Sequence, residues 1–395
     1  MLVVFCPFAA GYYLSYFYRY VNAVIAKDLV SDFGLAPSDL GLLTSAYFLS
    51  FALAQLPLGV LLDRFGPRRC TAALFCVAAA GALIFGLARD LAMLSAGRAL
   101  IGLGVSAGLM GSIKAFTLWF PRERLTALSG WMIGIGSLGT LSATTPVEAL
   151  LGPFGWRALF IALGALSLVA AALIFFIVPE RAPAGRGESW REQFRMVGRI
   201  YARVDFWRFA APIVLSQATY QALQGLWFAP WLADVHGLER GAIADYLLLS
   251  AAAYMVASMG LGPFSDALAK RGIGPLRIYQ VGMLACTASF APLAFGVQRG
   301  VLVFLVLFAA TSIAAIVAYS LLTQLVPVAQ TGRVTTASNL ILFATSFAIQ
   351  WGVGAILGQW PGAQGRYDPE AYTVAFGVLL AAQAAAAAWL LTARR

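Results

Sequence analysis

Charge is what this sequence has least of. Of its 395 residues 11% are charged and 61% are apolar, with a mean hydropathy of +0.81. Soluble domains carry about 25% charged and 45–50% apolar residues. So few charges cannot cover a water-facing surface, and the bilayer is the solvent that fits. Histidine is almost absent, with His236 alone. The four cysteines, Cys6, Cys70, Cys76 and Cys286, lie in or beside apolar runs and form no CxxC pair. That excludes a zinc centre and a disulfide framework, so no metal and no cofactor is expected. No G-x-x-x-x-G-K-[ST] run occurs, so the chain has no ATP-hydrolysing P-loop of its own. The Gly134, Gly136 and Gly139 run is a formal G-x-G-x-x-G match, but it lies inside an apolar segment with no preceding strand. Helix packing accounts for it better than a dinucleotide does. Neither a Ser/His/Asp set nor paired carboxylates point to an intramembrane enzyme. The sequence also runs only four residues past Leu391, which disfavours a receptor with a long output domain there.

What the sequence does have is apolar length. Twelve segments of spanning length, about 20 residues each, lie near 3–27, 39–62, 71–89, 91–118, 126–147, 157–178, 209–234, 242–263, 278–297, 301–325, 334–358 and 371–391, and are called spans 1 to 12. Met1 to Ala10 are already apolar and lack a basic leader, so they read as part of span 1 rather than a signal peptide. Spans 3 and 4 are joined by a short turn at Arg89-Asp90.

The net charge of +10 follows the loops. With the N-terminus inside, the inner loops and tail hold Arg64, Arg68, Arg69, Arg122, Arg124, the seven arginines from Arg181 to Arg208, Lys270, Arg271, Arg277, Arg333, Arg394 and Arg395. The outer side holds Lys27, Arg89, Arg157, Arg240, Arg299 and Arg366. Eighteen against six places both termini in the cytoplasm of a bacterial inner membrane. Basic residues gathered mostly in short loops between apolar runs also argue against nucleic acid.

The longest polar stretch is central. Residues 179–208 open on Pro and Gly, a linker composition. Apolar positions then recur at helical spacing among arginines from Ser189 to Arg203, as in a helix lying on the membrane surface. The chain therefore divides into a six-helix bundle at 1–178, a linker at 179–208 and a second bundle at 209–395. An internal echo supports the division. Gly59, Asp63, Arg64, Arg68 and Arg69 follow span 2, and Gly262, Asp266, Lys270 and Arg271 follow span 8, with Gly59–Gly262 and Asp63–Asp266 each 203 residues apart.

These residues resemble the major facilitator superfamily. The loop Gly59-Val-Leu-Leu-Asp63-Arg64-Phe-Gly66-Pro-Arg68-Arg69 matches its G-x-x-x-D-[RK]-x-G-x-[RK]-[RK] signature at every fixed position. Arg98-Ala-Leu-Ile-Gly102-Leu-Gly104 is similar to its R-x-x-x-G-x-G motif. The resemblance implies an all-α membrane protein of 12 transmembrane helices in two six-helix bundles. It also implies alternating access, a cavity lined by spans 1, 4, 7 and 10, and a cytoplasmic gate at the loop motif. Gly59, Asp63, Arg64, Gly66, Arg68, Arg69, Asp266 and Arg271 are the gate candidates. Asp63 can pair with bases or a helix dipole, and the arginines can hold headgroups. Span 5 lacks the Gly-Pro pair of the family's drug exporters, which shifts weight from efflux to uptake.

Ionisable groups inside spans mark function. Arg19 in span 1 and Lys114 in span 4 fall on spans that the resemblance places at the cavity. A guanidinium can hold a carboxylate with two parallel hydrogen bonds. Arg19 lies eight residues from Lys27, about 12 Å, too far to snorkel readily. Arg19 with Asn22 is similar to span 1 of the organic-anion and organophosphate branches. Span 7 lacks a second arginine, so a carboxylate fits better than a phosphate ester. Tyr16, Gln221, Gln224, Trp227 and Tyr319 are further substrate candidates, since amides, phenols and indoles in lipid need partners. No acid lies mid-span; Arg98, Glu148 and Asp28 are the coupling candidates. The expected activity is proton-coupled uptake of a small organic anion by a monomer among membrane lipids. The rival is efflux of hydrophobic compounds through an aromatic cavity (Tyr12, Tyr16, Trp131, Trp227).

Overall fold

In a computed structural model of the chain, residues 2–181, 190–326, 331–360 and 366–393 are described, apart from the side chains of residues 122, 123, 126, 190–193 and 331. Arg186, Arg394 and Arg395 of the loop arginines lie outside the described residues, as do the side chains of Arg122, Trp190 and Arg191. Regular structure among the described residues is almost wholly helical.

Helix lengths decide where the spans divide. Pro37–Gly86 runs as a near-continuous helix of 50 residues. At 1.5 Å per residue it would reach about 75 Å, over twice a hydrocarbon core of about 30 Å. It is two spans, broken where Gly66 takes φ 79 and ψ 157, which lies outside helical backbone and which a Cβ would strain. Thr145–Ala172 divides in the same way at Gly155, with φ 70 and ψ 166. Divided so, the helices give the twelve spans of an all-α membrane protein. By length and composition, seven helices among the described residues, with Pro37–Gly86 and Thr145–Ile177 each taken whole, can cross a membrane.

Local chemistry sets several ends. Asp90 caps span 4 by accepting from the Met93 amide at 2.7 Å, and Asp368 caps span 12 from the Glu370 amide at 2.8 Å. Spans 1 and 7 stop at left-handed glycines, Gly34 (φ 61) and Gly237 (φ 65). These two glycines are again 203 residues apart, so the internal repeat extends to the caps of the opening helix of each half.

Contacts divide the chain into two compact units, Met1–Leu35 with Leu42–Gln193, and Ala36–Gly41 with Phe194–Arg395. Trp190–Tyr201 of the central linker is helical. Its end is fixed to the second unit: the Tyr201 hydroxyl donates to the Ala337 carbonyl at 2.8 Å, and Arg203 Nη1 donates to the Leu325 carbonyl at 3.0 Å. Burial pushes the Tyr201 phenol up to about 12.

Spans 1, 4, 7 and 10 all lose regularity near their middles. Span 1 turns at Val21 between Leu2–Tyr20 and Asn22–Phe33, and span 4 at Ser106 between Leu91–Val105 and Ala107–Trp119, both with φ and ψ still helical. Span 7 carries a π-turn at Leu223–Trp227, and span 10 a 3-10 turn at Ile313–Ile316. Irregular backbone at membrane depth is tolerated where protein or a water-filled cavity satisfies it.

Candidate functional site

The turn in span 1 is where the first unit places two buried charges, Arg19 and Arg98. Arg19 is 5% exposed. Its guanidinium carbon lies 4.5 Å from the centroid of the Tyr16 ring, 5.4 Å from Phe51 and 6.0 Å from Tyr47. The Tyr47 and Tyr20 side chains stand within electrostatic reach of it. The Tyr47 hydroxyl donates to the Ser15 carbonyl at 3.1 Å. Ring faces hold the cation at about 0.5–2 kcal/mol each, depending on desolvation, and they leave the N–H edge of the fork to hydrogen-bonding partners.

Arg98 reaches the same turn from span 4. Its Nη1 donates to the Tyr18 carbonyl at 2.8 Å, and its guanidinium carbon stands 5.0 Å from the Tyr47 ring. Tyr47 thus lies against two arginines. The contact ties span 4 to the irregular turn of span 1 through backbone, next to Arg19. Asn22 Nδ2 donates to Thr44 at 3.2 Å, and its Oδ1 is buried without a partner. Tyr16 accepts a hydrogen bond from the Tyr12 hydroxyl at 3.2 Å.

Glycines set how closely these helices approach. A Cβ on Gly102 would collide with the Tyr47 carbonyl and the Ser50 hydroxyl. Of the glycine run in span 5, Gly139 faces the Tyr13 carbonyl and Gly136 faces Tyr12 and Tyr16, while Gly130 and Gly134 meet nothing within 4 Å.

Lys114 sits elsewhere. Its Nζ is 2.6 Å from Asp63 Oδ1, so it joins the loop after span 2. Both partners are about one-third exposed, so the pair is worth about 1 kcal/mol or less. Lys114→Gln and Asp63→Asn should each lower the melting temperature slightly, and the exchanged pair Lys114→Asp with Asp63→Lys should recover most of it. A double-mutant cycle with zero coupling would refute the pairing. In the same loop Arg68 Nε donates to the Phe175 carbonyl at 2.7 Å, Arg68 and Arg69 pair with Glu180 at 3.6 and 2.5 Å, and Arg181 donates to the Leu118 carbonyl. Gly59 is half-buried and Arg64 exposed. Asp266 and Arg271 are exposed in the second unit, where the echoing loop turns through Gly272 at φ 77.

In the second unit the amides of span 7 are mostly committed to neighbouring helices. Gln217 Nε2 donates to the Ser312 carbonyl at 2.8 Å and Gln224 Nε2 to the Leu247 carbonyl at 3.0 Å; Gln224 Oε1 accepts from Ser250 at 2.9 Å. Trp227 Nε1 donates to the Gln350 carbonyl at 2.8 Å. Trp231 is 1% exposed and packs on His236, so it is a core aromatic and not a membrane-belt residue. Gln221 Oε1 is buried without a partner, and the Tyr319 hydroxyl donates to Asn339 at 2.8 Å. Gln224→Leu should therefore cost stability, about 1–2 kcal/mol for the stranded partners, and leave ligand affinity unchanged. A fall in affinity without loss of melting temperature would contradict this role.

Glu148 and Asp28 are half-buried, just past the ends of spans 5 and 1. Sequence reasoning missed Tyr47, Phe51, Glu180 and Arg181. Nothing local marks Tyr47, because its partners come from spans 1 and 4. Arg181 carries only a topological reading in the sequence, as one of the inner-loop arginines, and Glu180 carries none.

Twelve spans, irregular turns in spans 1, 4, 7 and 10 and buried guanidiniums beside one of them define a class: a polytopic membrane carrier. The chain belongs to the Major Facilitator Superfamily, whose model matches residues 8–350. It is 26% identical over 314 residues to the probable sulfoacetate transporter SauU of Cupriavidus necator, covering 72% of this chain and 70% of that one. To the probable L-galactonate transporter of Escherichia coli K12 it is 25% identical, covering 73% and 67%. The D-xylose-proton symporter structure superposes with a TM-score of 0.76 at 14% identity, covering 99% of this chain and 97% of that one, a likeness of fold. The protein is a membrane transporter, and its chemistry is transport rather than enzymatic.

Proposed function

We propose that this transporter takes up a small organic anion, a carboxylate or sulfonate, by rocker-switch alternating access coupled to protons. The observation that carries the reading is Arg19, a fork-shaped cation held by the Tyr16 and Phe51 rings at the turn of span 1. The probable sulfoacetate transporter and the probable L-galactonate transporter, named for compounds that are anions at neutral pH, are among the similar proteins and support the same class. In this reading Arg19, Asn22 and Tyr16 contact the anion from the 1–178 bundle, and Gln221 and Tyr319 are the candidates in the 209–395 bundle. Gln224 and Trp227 support the helices. Lys114 acts with Asp63, Arg64, Arg68 and Arg69 at the gate, alongside Asp266 and Arg271. Arg98 orients the turn, and Glu148 or Asp28 carries the proton. The protein works as a monomer in a bacterial inner membrane, with both termini and the 179–208 linker in the cytoplasm, as the loop arginines direct.

Thermal-shift screening of the purified protein against a metabolite panel tests this. Stabilisation by small carboxylates or sulfonates that depends on Arg19 is expected. Stabilisation by hydrophobic cations alone would favour efflux instead. Uptake driven by an inward proton gradient, and lost in Glu148→Gln or Asp28→Asn, tests the coupling.

A further inference from the structure

The first unit contains a second basic site, apart from Arg19, at the loop that follows span 2. A cavity of about 270 Å³ lies between the loop after span 2, the end of span 4 and the end of span 6. Arg64, Arg68, Arg69 and Arg181 line it, with Glu180 as the one acid among the described residues of its lining. Three of the four guanidiniums stack on aromatic rings: Arg64 on Phe65 at 5.3 Å, Arg68 on Phe175 at 4.9 Å and Arg181 on Trp119 at 4.9 Å. Stacking fixes the planes of the forks and leaves their N–H edges available. A guanidinium has about five donors, and the bonds to Phe175, Leu118 and Glu180 occupy few of them. The site thus holds a net charge of +3, four arginines against Glu180, with donors in excess.

Its surroundings say which anion fits. The cavity lies where three spans end, which is headgroup depth. The residues beside it present apolar surface outward: Phe65 is 50% exposed and Phe176 78% exposed, with Phe175 and Ile177 also exposed. A soluble anion has no use for that surface, whereas an acyl chain does. We propose that this cavity binds the phosphodiester headgroup of an anionic phospholipid. Arg64 and Arg181 contact the phosphate, and Glu180 competes with it for Arg68 and Arg69. The site is independent of Arg19 and of the substrate reading.

Native mass spectrometry of the purified full-length protein tests the proposal, using phosphatidylglycerol and phosphatidylcholine of matched chains. The wild type should retain phosphatidylglycerol in preference. The Arg64→Gln, Arg181→Gln double variant should lose about thirtyfold of that retention, the effect of two interfacial arginines. Glu180→Gln should raise retention several-fold, an increase that a damaged fold cannot produce. Equal retention of the two lipids, or of phosphatidylglycerol by wild type and double variant, overturns the proposal. So does displacement of the lipid by inorganic phosphate at equal concentration, since the site would then be one for a free anion. Failure of phosphate to displace it, with the two variants moving in opposite directions, establishes the lipid.

Discussion

Arg19→Gln is expected to abolish anion-dependent stabilisation and reduce affinity for the transported carboxylate by about tenfold to a hundredfold. The magnitude follows from losing a charge-assisted hydrogen-bonded contact, about 1.5–3 kcal/mol, at 1.4 kcal/mol per decade. Glutamine keeps a donor and most of the volume, so the Tyr16 and Phe51 rings retain an occupant. Arg19→Lys separates charge from geometry. It preserves the cation but loses the fork that matches a carboxylate edge to edge, and about a tenfold loss is expected. A lysine variant equal to wild type would mean that the site reads charge alone. A glutamine variant that binds every carboxylate normally would remove Arg19 from the substrate altogether. Calorimetric titration of both variants against one ligand decides between these outcomes.

The second large effect is structural and acts on the same site from behind. Gly102 of span 4 lies where a Cβ would collide with the Tyr47 carbonyl and the Ser50 hydroxyl. Gly134 of span 5 has nothing within 4 Å. Replacing either by alanine gains the same helix propensity, up to about 1 kcal/mol, so their difference isolates the contact. Gly134→Ala should melt at or above the wild-type temperature. Gly102→Ala should melt well below it, since overpacking against backbone that cannot yield costs about 1–3 kcal/mol. The loss should reach function too, because Tyr47 stands against both Arg19 and Arg98. Equal melting of the two variants would show that spans 2 and 4 are not in that close contact.

Much of this architecture is legible in the amino-acid sequence. Hydrophobic length alone gives the spans, because lipid leaves the backbone almost no choice but helix. The loop motif points to a gate, and the glycine between Arg64 and Arg68 is where the long helix must turn, Gly66 being the break in Pro37–Gly86. Two things are not legible there. One is what a buried polar side chain is occupied by. Gln224 and Gln221 have the same chemistry and lie one turn apart, yet Gln224 binds Leu247 and Ser250 while Gln221 Oε1 stays unsatisfied. Only the neighbouring helix distinguishes them. The other is long-range charge. Lys114 and Asp63 are 51 positions apart and meet at 2.6 Å, and Glu180 closes on Arg68 and Arg69 from beyond span 6. Span periodicity places such residues on helices but does not show which partner reaches them.

The central claim, transport of an organic anion through a site containing Arg19, is tested most directly by counterflow in proteoliposomes loaded with a carboxylate or sulfonate found in the thermal-shift panel. The account predicts accelerated entry of the labelled anion into wild-type vesicles, loss of that acceleration in Arg19→Gln vesicles, and no response to neutral polyols or hydrophobic cations. Entry of hydrophobic cations or neutral sugars with no movement of any organic anion would contradict it.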